Sequence, residues 1–491
     1  MRKINNLIKM LVLCGGLFFA SCETTELDLT QNPNALSPVD ADPDFYMNSI
    51  QLSYAYLIES FGNTAGAVTR IDYMSGRDYA NAYQPGSFNS RWSSAYQTIM
   101  QDIREMNVIA DEPTTALDVT VQKEIILLLK ELQKENKMSI LLISHDLSLV
   151  SEIADDVIIL FKGQIVEKGN TTDIFHSPQH DYTKGLINSK PNLNQRLKKL
   201  PTVEDFIKNR IFTDVYSKKE REAYHSKIYG LKPLLEIVDV KKYFNTSDGF
   251  IKKPLIKAVD KVSFKLYEGE TLGLVGESGC GKTTLGRSIM QLEKVTSGKI
   301  FYKGKDIAHL SKTALQNLRK EIQIIFQDPF SSLNPRISIG NAILEPMNVH
   351  GVLSNHKERK IYVIELLKKV GLEEDHFNKY PHEFSGGQRQ RIGIARAIAL
   401  KPKIIICDES VSALDVSVQA QVLNLLNELK STFNFSYIFI SHDLSVVKYM
   451  SDQLVVMNKG KIEEIGDADT IYKTPKSEYT RNLIDAIPKG I

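Results

Sequence analysis

Gly276-Glu-Ser-Gly-Cys-Gly-Lys-Thr283 is the stretch on which the fold turns. It fits G-x-x-x-x-G-K-[ST], a phosphate-binding loop, and it has the neighbours that such a loop needs. The apolar Thr271-Leu-Gly-Leu-Val275 before it reads as a strand, and Thr284-Leu-Gly-Arg-Ser-Ile-Met-Gln-Leu292 after it reads as a helix. Glycines at 276, 279 and 281 let successive backbone N–H groups turn inward around a β-phosphate, and the helix N-terminus adds its dipole. Lys282 then bridges β- and γ-phosphates, and Thr283 offers its hydroxyl to Mg²⁺. Gly276, Ser278, Gly279, Cys280, Gly281, Lys282, Thr283 and Thr284 are the expected nucleotide-binding residues of this loop.

A second half of the site is expected at Ile404-Ile-Ile-Cys-Asp408-Glu409. A continuous apolar run marks a strand buried on both faces, as parallel strands are, and here it ends in two carboxylates. Asp408 is placed to hold Mg²⁺ through its water shell, and Glu409 to orient and deprotonate an attacking water. A strand ending in solvated acids is the plain alternative, and the phosphate loop upstream weighs against it.

Three further elements narrow the reading. Glu383-Phe-Ser-Gly-Gly-Gln-Arg-Gln-Arg-Ile392 resembles the signature motif of ATP-binding cassette (ABC) proteins. Its serine and glycines form a small-residue N-cap opening a helix, a ready anion site. Gln327, in Ile324-Ile-Phe-Gln-Asp-Pro-Phe330, occupies the glutamine-loop position, where it would also serve the metal. His442, after Tyr437-Ile-Phe-Ile440, occupies the switch-histidine position facing the γ-phosphate. The resemblance implies an α/β fold: a P-loop NTPase domain with a helical signature subdomain, binding ATP and Mg²⁺. It also implies that Glu409, His442 and Gln327 are catalytic, and that Thr283, Asp408 and Gln327 form the metal set. In cassette proteins the signature of one subunit closes over ATP held by another. Ser385, Gly386, Gly387 and Gln388 are therefore expected to act in trans, with Asp415 crossing the same interface. Phe244, beside Tyr243, is the expected adenine-stacking ring.

An internal repeat accompanies this domain. Asp111-Glu-Pro-Thr-Thr-Ala-Leu-Asp118 recurs as Asp408-Glu-Ser-Val-Ser-Ala-Leu-Asp415, an offset of 297. Ser144-His-Asp-Leu147 and Ser441-His-Asp-Leu444 keep that offset, as do Tyr182-Thr183 and Tyr479-Thr480. A match without a gap over residues 111–191 means a duplicated domain. The first copy keeps Asp111, Glu112, Asp118 and His145 but has no phosphate loop, glutamine loop or signature in front of them. It is expected to hold no ATP by itself and to leave an incomplete sheet with exposed edges.

The head of the chain differs in kind. No lysine occurs between Lys9 and Lys123, and residues 1–110 carry 7 basic and 11 acidic side chains, a net −4 inside a chain of net +2. Arg2, Lys3 and Lys9, a short apolar core and Phe19-Ala-Ser-Cys22 read as a lipoprotein export signal. Asp44-Phe-Tyr-Met-Asn-Ser-Ile-Gln51 and Phe88-Asn-Ser-Arg-Trp-Ser-Ser-Ala-Tyr96 resemble the start of SusD-like nutrient-binding lipoproteins, with helices expected at about 44–60 and 90–106. The expected divisions are 1–21 signal peptide, 22–110 truncated SusD-like fragment, 111–192 C-terminal fragment of a first cassette, 193–233 linker, and 234–491 complete cassette.

Composition removes several classes. A near-balanced charge gives no argument for nucleic acid, no apolar run reaches the roughly 18 residues of a membrane span, and four cysteines without CxxC or metal-ligand spacing argue against a disulfide framework or zinc site. Gln327-Asp-Pro-Phe-Ser-Ser-Leu-Asn-Pro-Arg336 and the tail Ser477-Glu-Tyr-Thr-Arg-Asn-Leu-Ile484 resemble dipeptide and oligopeptide importer ATPases. That resemblance implies MgATP hydrolysis at the cytoplasmic face of the inner membrane. The implied partners are transmembrane permease subunits docking near 328–347, a solute-binding protein, and a second ATPase subunit or a homodimer. An export signal conflicts with that location. The alternatives are an exported SusD-like fragment, or a chimeric reading frame without a selected function as a whole.

Overall fold

The computed structural model describes residues 106–114, 119–193, 195–210, 212–245, 255–328, 332–412 and 414–487. The export signal, the SusD-like head up to residue 105 and Asp118 fall outside the described residues. Two compact units divide the chain, Met1–Asp102 with Lys162–Gln164 and the remainder, and the fold below is that of the remainder.

The first repeat copy comprises β1 (Met106–Asp111), α1 (Val119–Asn136), β2 (Ser139–Ile143), α2 (Leu147–Ile153), β3 (Asp156–Phe161), β4 (Gln164–Asn170), α3 (Thr171–His176) and α4 (Asp181–Asn188). Two short helices follow, α5 (Val203–Ile207) and α6 (Lys218–Tyr229). The larger domain opens with β5 (Leu235–Phe244), β6 (Ile256–Leu266), β7 (Thr271–Val275), α7 (Lys282–Ile289), β8 (Ser297–Tyr302), β9 (Lys305–Asp306), α8 (Lys312–Glu321) and β10 (Ile322–Ile325). A helical portion, α9 (Ile339–Val349), α10 (His356–Lys369) and α11 (Gly386–Ile398), comes next. β11 (Ile404–Asp408), α12 (Val416–Phe433), β12 (Ser436–Ile440), α13 (Leu444–Met450), β13 (Gln453–Asn458), β14 (Lys461–Asp467), α14 (Ala468–Lys473) and α15 (Glu478–Asp485) complete it.

Six strands in the order β10-β11-β12-β7-β13-β14 form the central sheet, parallel except for the β13–β14 hairpin. Its middle strands are buried on both faces, which is why they read as unbroken apolar runs. Strand periodicity sends alternate side chains to opposite sides and so builds two cores. Ile404, Ile406, Ile438 and Ile440 join Leu272 and Leu274 beneath the antiparallel sheet β6-β5-β8-β9. Ile405, Cys407, Tyr437 and Phe439 face the other way, toward a core that includes Ile343, Leu366 and Ile392 from α9, α10 and α11.

Every element of the first copy after β1 reappears 297 residues later with the same bounds, α1 as α12, β2 as β12, α2 as α13, β3 and β4 as β13 and β14, and α3 and α4 as α14 and α15, while β1 corresponds to β11 with its start one residue earlier. Register is kept too: Ala110 pairs with Leu142 and Asp111 with Ile143, as Cys407 pairs with Phe439 and Asp408 with Ile440. The strand β1 begins at Met106, five residues ahead of the expected start of the copy at Asp111. Among the described residues the first copy has no counterpart of β7, the strand that separates β12 from β13. Among the described residues its strands accordingly fall into two pairs, β1-β2 and β3-β4. The missing layer leaves apolar side chains in solvent: Leu128 is 49% exposed against 8% for Leu425, and Ile143 is 36% against 0% for Ile440.

The segment expected to be a linker is docked on the larger domain. Leu200 enters its core, and Asn424 bonds both the N–H and the carbonyl of Leu200. Arg196 donates to the carbonyls of Ser451 (2.7 Å) and Lys448 (2.5 Å), and Arg221 pairs with Asp467 (3.1 Å) and Asp469 (2.7 Å). Tyr229 of α6 donates to Glu270 at 3.1 Å, deep in the domain, where burial pushes the Glu270 carboxyl up to about 7. A carboxyl whose folded pKa lies above its unfolded value stabilises the fold at low pH, and that contribution disappears as pH rises from about 4.5 through 7. Glu270→Gln is expected to raise the thermal midpoint at pH 8 and to flatten its decline between pH 5 and 7, measured by unfolding scans at each pH.

Candidate functional site

The loop between β7 and α7 is shaped by backbone on three sides. Gly276 (φ 147°) and Gly281 (φ 106°) adopt conformations that L side chains rarely take. A Cβ at Gly276 would lie 2.1 Å from the Met457 carbonyl oxygen, and one at Gly281 2.0 Å from that of Ala258. The β13–β14 turn completes the enclosure, the N–H of Gly460 donating to the Cys280 carbonyl at 3.0 Å. Gly281 is the N-cap of α7, which starts at Lys282, two residues before the expected helix. Lys282 is buried, with Nζ donating to the carbonyls of Gly276 (2.7 Å) and Glu277 (2.9 Å). Cys280 is buried as well, and burial pushes its thiol up. Ser278, Gly279 and Thr284 lie on the loop and the first turn of α7.

Asp408 ends β11 directly across from this loop. Thr283 Oγ1 donates to Asp408 Oδ1 at 2.9 Å. Burial raises the Asp408 carboxyl, while the Thr283 hydrogen bond works against the rise. Glu409 follows at φ 49°, its N–H donating to the Ile440 carbonyl at 2.9 Å, which turns its side chain out of the strand line. Gln327 Nε2 donates to Glu409 Oε2 at 2.7 Å, and His442 Nδ1 stands 3.5 Å from the same oxygen. His442 holds the Glu409 carboxyl below the usual carboxylate range.

A hydroxyl and a buried carboxylate brought together are hard oxygen donors of the kind Mg²⁺ takes, so Thr283 and Asp408 fit that ion. A glycine-shaped loop, a buried lysine and a helix N-terminus fit a polyphosphate. An ionised carboxylate braced by an amide and an imidazole can orient a water and accept its proton.

The structure thus gathers Lys282, Thr283, Asp408, Glu409, Gln327 and His442 at one place. Ser385 to Gln388 form a separate feature, the start of α11. Ser385 is its N-cap, accepting from the Gln388 N–H at 3.3 Å, and Gln388 Oε1 accepts in return from the Ser385 N–H at 3.0 Å, a capping box. Gly386 and Gly387 are the first two residues of that helix. Asp415 is the N-cap of α12 and makes no side-chain cap bond. Phe244 ends β5 as an exposed ring with Lys242 Nζ 4.6 Å from its centroid, whereas the Tyr243 hydroxyl is committed to Asp260 at 2.6 Å. In the first copy, His145 Nδ1 lies 2.8 Å from Glu112 Oε1, and Glu112 keeps a positive φ of 44°.

Sequence reasoning missed two contributors. The turn around Gly460 closes over the loop, and the Tyr479 hydroxyl accepts from the Glu277 N–H at 3.2 Å. Tyr479 was open to detection, since it is identical to Tyr182 at the repeat offset.

Comparison with known proteins adds to this geometry. The family model described as ABC transporter matches residues 259–412, and the one described as Oligopeptide/dipeptide transporter, C-terminal region matches twice, at 166–209 and 464–490. The Glutathione import ATP-binding protein GsiA of Escherichia coli O6:H1 is 46% identical over 383 residues, covering 78% of this chain and 61% of that protein. The protein of the same name from Shigella flexneri gives the same figures. This chain therefore spans 61% of the length of these curated relatives. A solved dimeric ATP-binding cassette in a post-hydrolysis state, bound to ADP and phosphate, aligns at TM-score 0.43 and 27% identity, covering 48% of this chain and 98% of its own. With the central sheet, the glycine loop and the family match in agreement, the larger domain has the fold of an ABC ATPase, a P-loop NTPase of mixed α/β content.

Proposed function

We propose that this chain is the ATP-binding subunit of an ABC importer, hydrolysing MgATP to drive uptake of peptides, glutathione or similar small solutes through a membrane permease. One observation carries the reading: Thr283 and Asp408 at 2.9 Å, and Gln327, Glu409 and His442 around one carboxylate, meet at the mouth of the glycine loop. Residues 276–284 cradle the triphosphate, Lys282 leaving its two loop carbonyls for β- and γ-oxygens, and the Phe244 ring covers the adenine. Thr283 and Asp408, with Gln327 nearby, would hold Mg²⁺, which when bound offsets charge on the β- and γ-phosphates. Glu409 positions the attacking water and takes its proton, while His442 fixes the carboxylate and faces the γ-phosphate. Ser385, Gly386, Gly387 and Gln388, with Asp415, close over a nucleotide held by a second cassette.

Residues 234–491 are the complete cassette in this proposal, and 106–192 the C-terminal part of a first one. The double match of the C-terminal-region model and the element-by-element repeat support that division. The permease docks on the segment 328–347, and a solute-binding protein delivers cargo. Among the described residues no helix is long and apolar enough to cross a membrane, which accords with peripheral attachment through that permease. Phosphate release by the purified full chain is the test. Turnover of ATP that stops when Mg²⁺ is chelated is the expected result, and absence of turnover at millimolar MgATP, alone and with permease vesicles, would overturn it.

A further inference from the structure

We infer that Tyr479 is a positioning residue for nucleotide binding, its hydroxyl keeping the peptide between Gly276 and Glu277 in place once Lys282 has turned to the phosphates. The inference deepens the proposed function and rests on it, since Lys282 must serve a bound triphosphate.

The carbonyl of Gly276 and the N–H of Glu277 belong to one trans peptide unit, planar by resonance, so they leave it on opposite edges. Lys282 Nζ donates to that carbonyl at 2.7 Å, and that N–H donates to the Tyr479 hydroxyl at 3.2 Å. An ammonium on one edge polarises the peptide and strengthens the bond on the other. While Lys282 rests on its own loop, both edges are held. When the ammonium moves to β- and γ-oxygens, the carbonyl edge is released and the plane leans on the Tyr479 bond. Gly276, at φ 147°, has no Cβ to restrict rotation there. Removing the hydroxyl therefore costs the nucleotide-bound loop more than the unbound one, and the difference is a loss of affinity.

Tyr479 is delivered by a scaffold that does not depend on the loop. Its ring packs against the core shared with α9, α10 and α11. Just ahead of α15, the buried Glu464 carboxylate of β14 accepts from the N–H groups of Lys476 (3.0 Å) and Ser477 (3.1 Å). The first copy repeats this anchor 297 residues earlier, Glu167 accepting from the N–H groups of Gln179 (2.7 Å) and His180 (3.2 Å). Among the described residues that copy has no counterpart of the β7–α7 loop, and its Tyr182 stacks on Phe161 with ring centroids 4.1 Å apart. The same tyrosine on the same anchor thus meets a phosphate loop only in the complete copy, which makes Tyr182 an internal control.

Tyr479→Phe in the full chain removes the acceptor and keeps the ring. Its KM for MgATP and its dissociation constant for a fluorescent ATP analogue are expected to rise roughly threefold to tenfold, the loss of one neutral hydrogen bond, with kcat at saturating MgATP within about twofold of wild type. Thermal unfolding scans without nucleotide should match wild type, which separates the effect from a loss of packing. Tyr182→Phe should leave both constants unchanged. A Tyr479→Phe chain with wild-type constants, one whose kcat falls while KM stays, or a Tyr182→Phe chain with the same rise overturns the inference and leaves the proposed function standing. A wild-type chain that binds no MgATP overturns both.

Discussion

Lys282→Ala lowers the affinity of the chain for MgATP by at least ~100-fold and removes turnover. The side chain is buried, its ammonium satisfied by two carbonyls of its own loop at 2.7 and 2.9 Å, so it is already positioned for the phosphates. Charge-assisted bonds contribute about 1.5–3 kcal/mol each, and two lost to β- and γ-oxygens amount to a hundredfold or more, at 1.4 kcal/mol per decade. Alanine is the best helix former and sits at the first position of α7, so the fold should be retained. Titration with a fluorescent ATP analogue, beside a thermal unfolding scan, checks both statements. Wild-type affinity in the variant would remove Lys282 from the site.

Glu409→Gln is the second large effect, with turnover falling by ~10²–10⁴ and affinity changed by no more than a few-fold. Glutamine keeps an oxygen to accept from Gln327 and loses the charge that takes a proton from water. His442 keeps the wild-type carboxylate ionised well into the acid range, so turnover of the wild type should hold from neutral pH down to the range where Glu409 begins to bind a proton. Single-turnover phosphate release against pH checks this. A variant retaining more than a tenth of wild-type rate would assign the base elsewhere.

Much of this site could be read from sequence because its chemistry is local. A glycine loop between a strand and a helix, a carboxylate pair closing an apolar strand and a serine opening a helix are each written in a few consecutive residues. The capping box at Ser385 and Gln388 and the burial of Ile404 to Cys407 follow from the same local rules. Contacts between distant segments were not legible in this way. Residues 193–233 are rich in Lys and Arg and read as a linker of helix and coil. The helices α5 and α6 are there, but Arg196 and Arg221 find their partners some 250 residues away, on Ser451, Asp467 and Asp469, which no periodicity signals. The start of β1 was hidden for another reason. Asn107 to Ala110 resemble Ile404 to Cys407 in strand pattern more than in identity, so the repeat seemed to begin at Asp111.

The exposed faces of α1 and β2 follow from the same arithmetic of parts. Leu132 is 37% exposed where its equivalent Leu429 is 3% exposed and belongs to the core shared with α9, α10 and α11, which have no counterpart among the described residues of the first copy. A sheet split in two by one missing strand keeps its local pairing and loses its two-sided burial.

A structure of the full chain carrying Glu409→Gln, determined with MgATP, tests the central claim most directly. The account predicts a triphosphate lying along Gly276 to Thr283 with Lys282 on its β- and γ-oxygens, the metal between Thr283 and Asp408, and the adenine against Phe244. A nucleotide bound elsewhere, or none at saturating concentration, would contradict it.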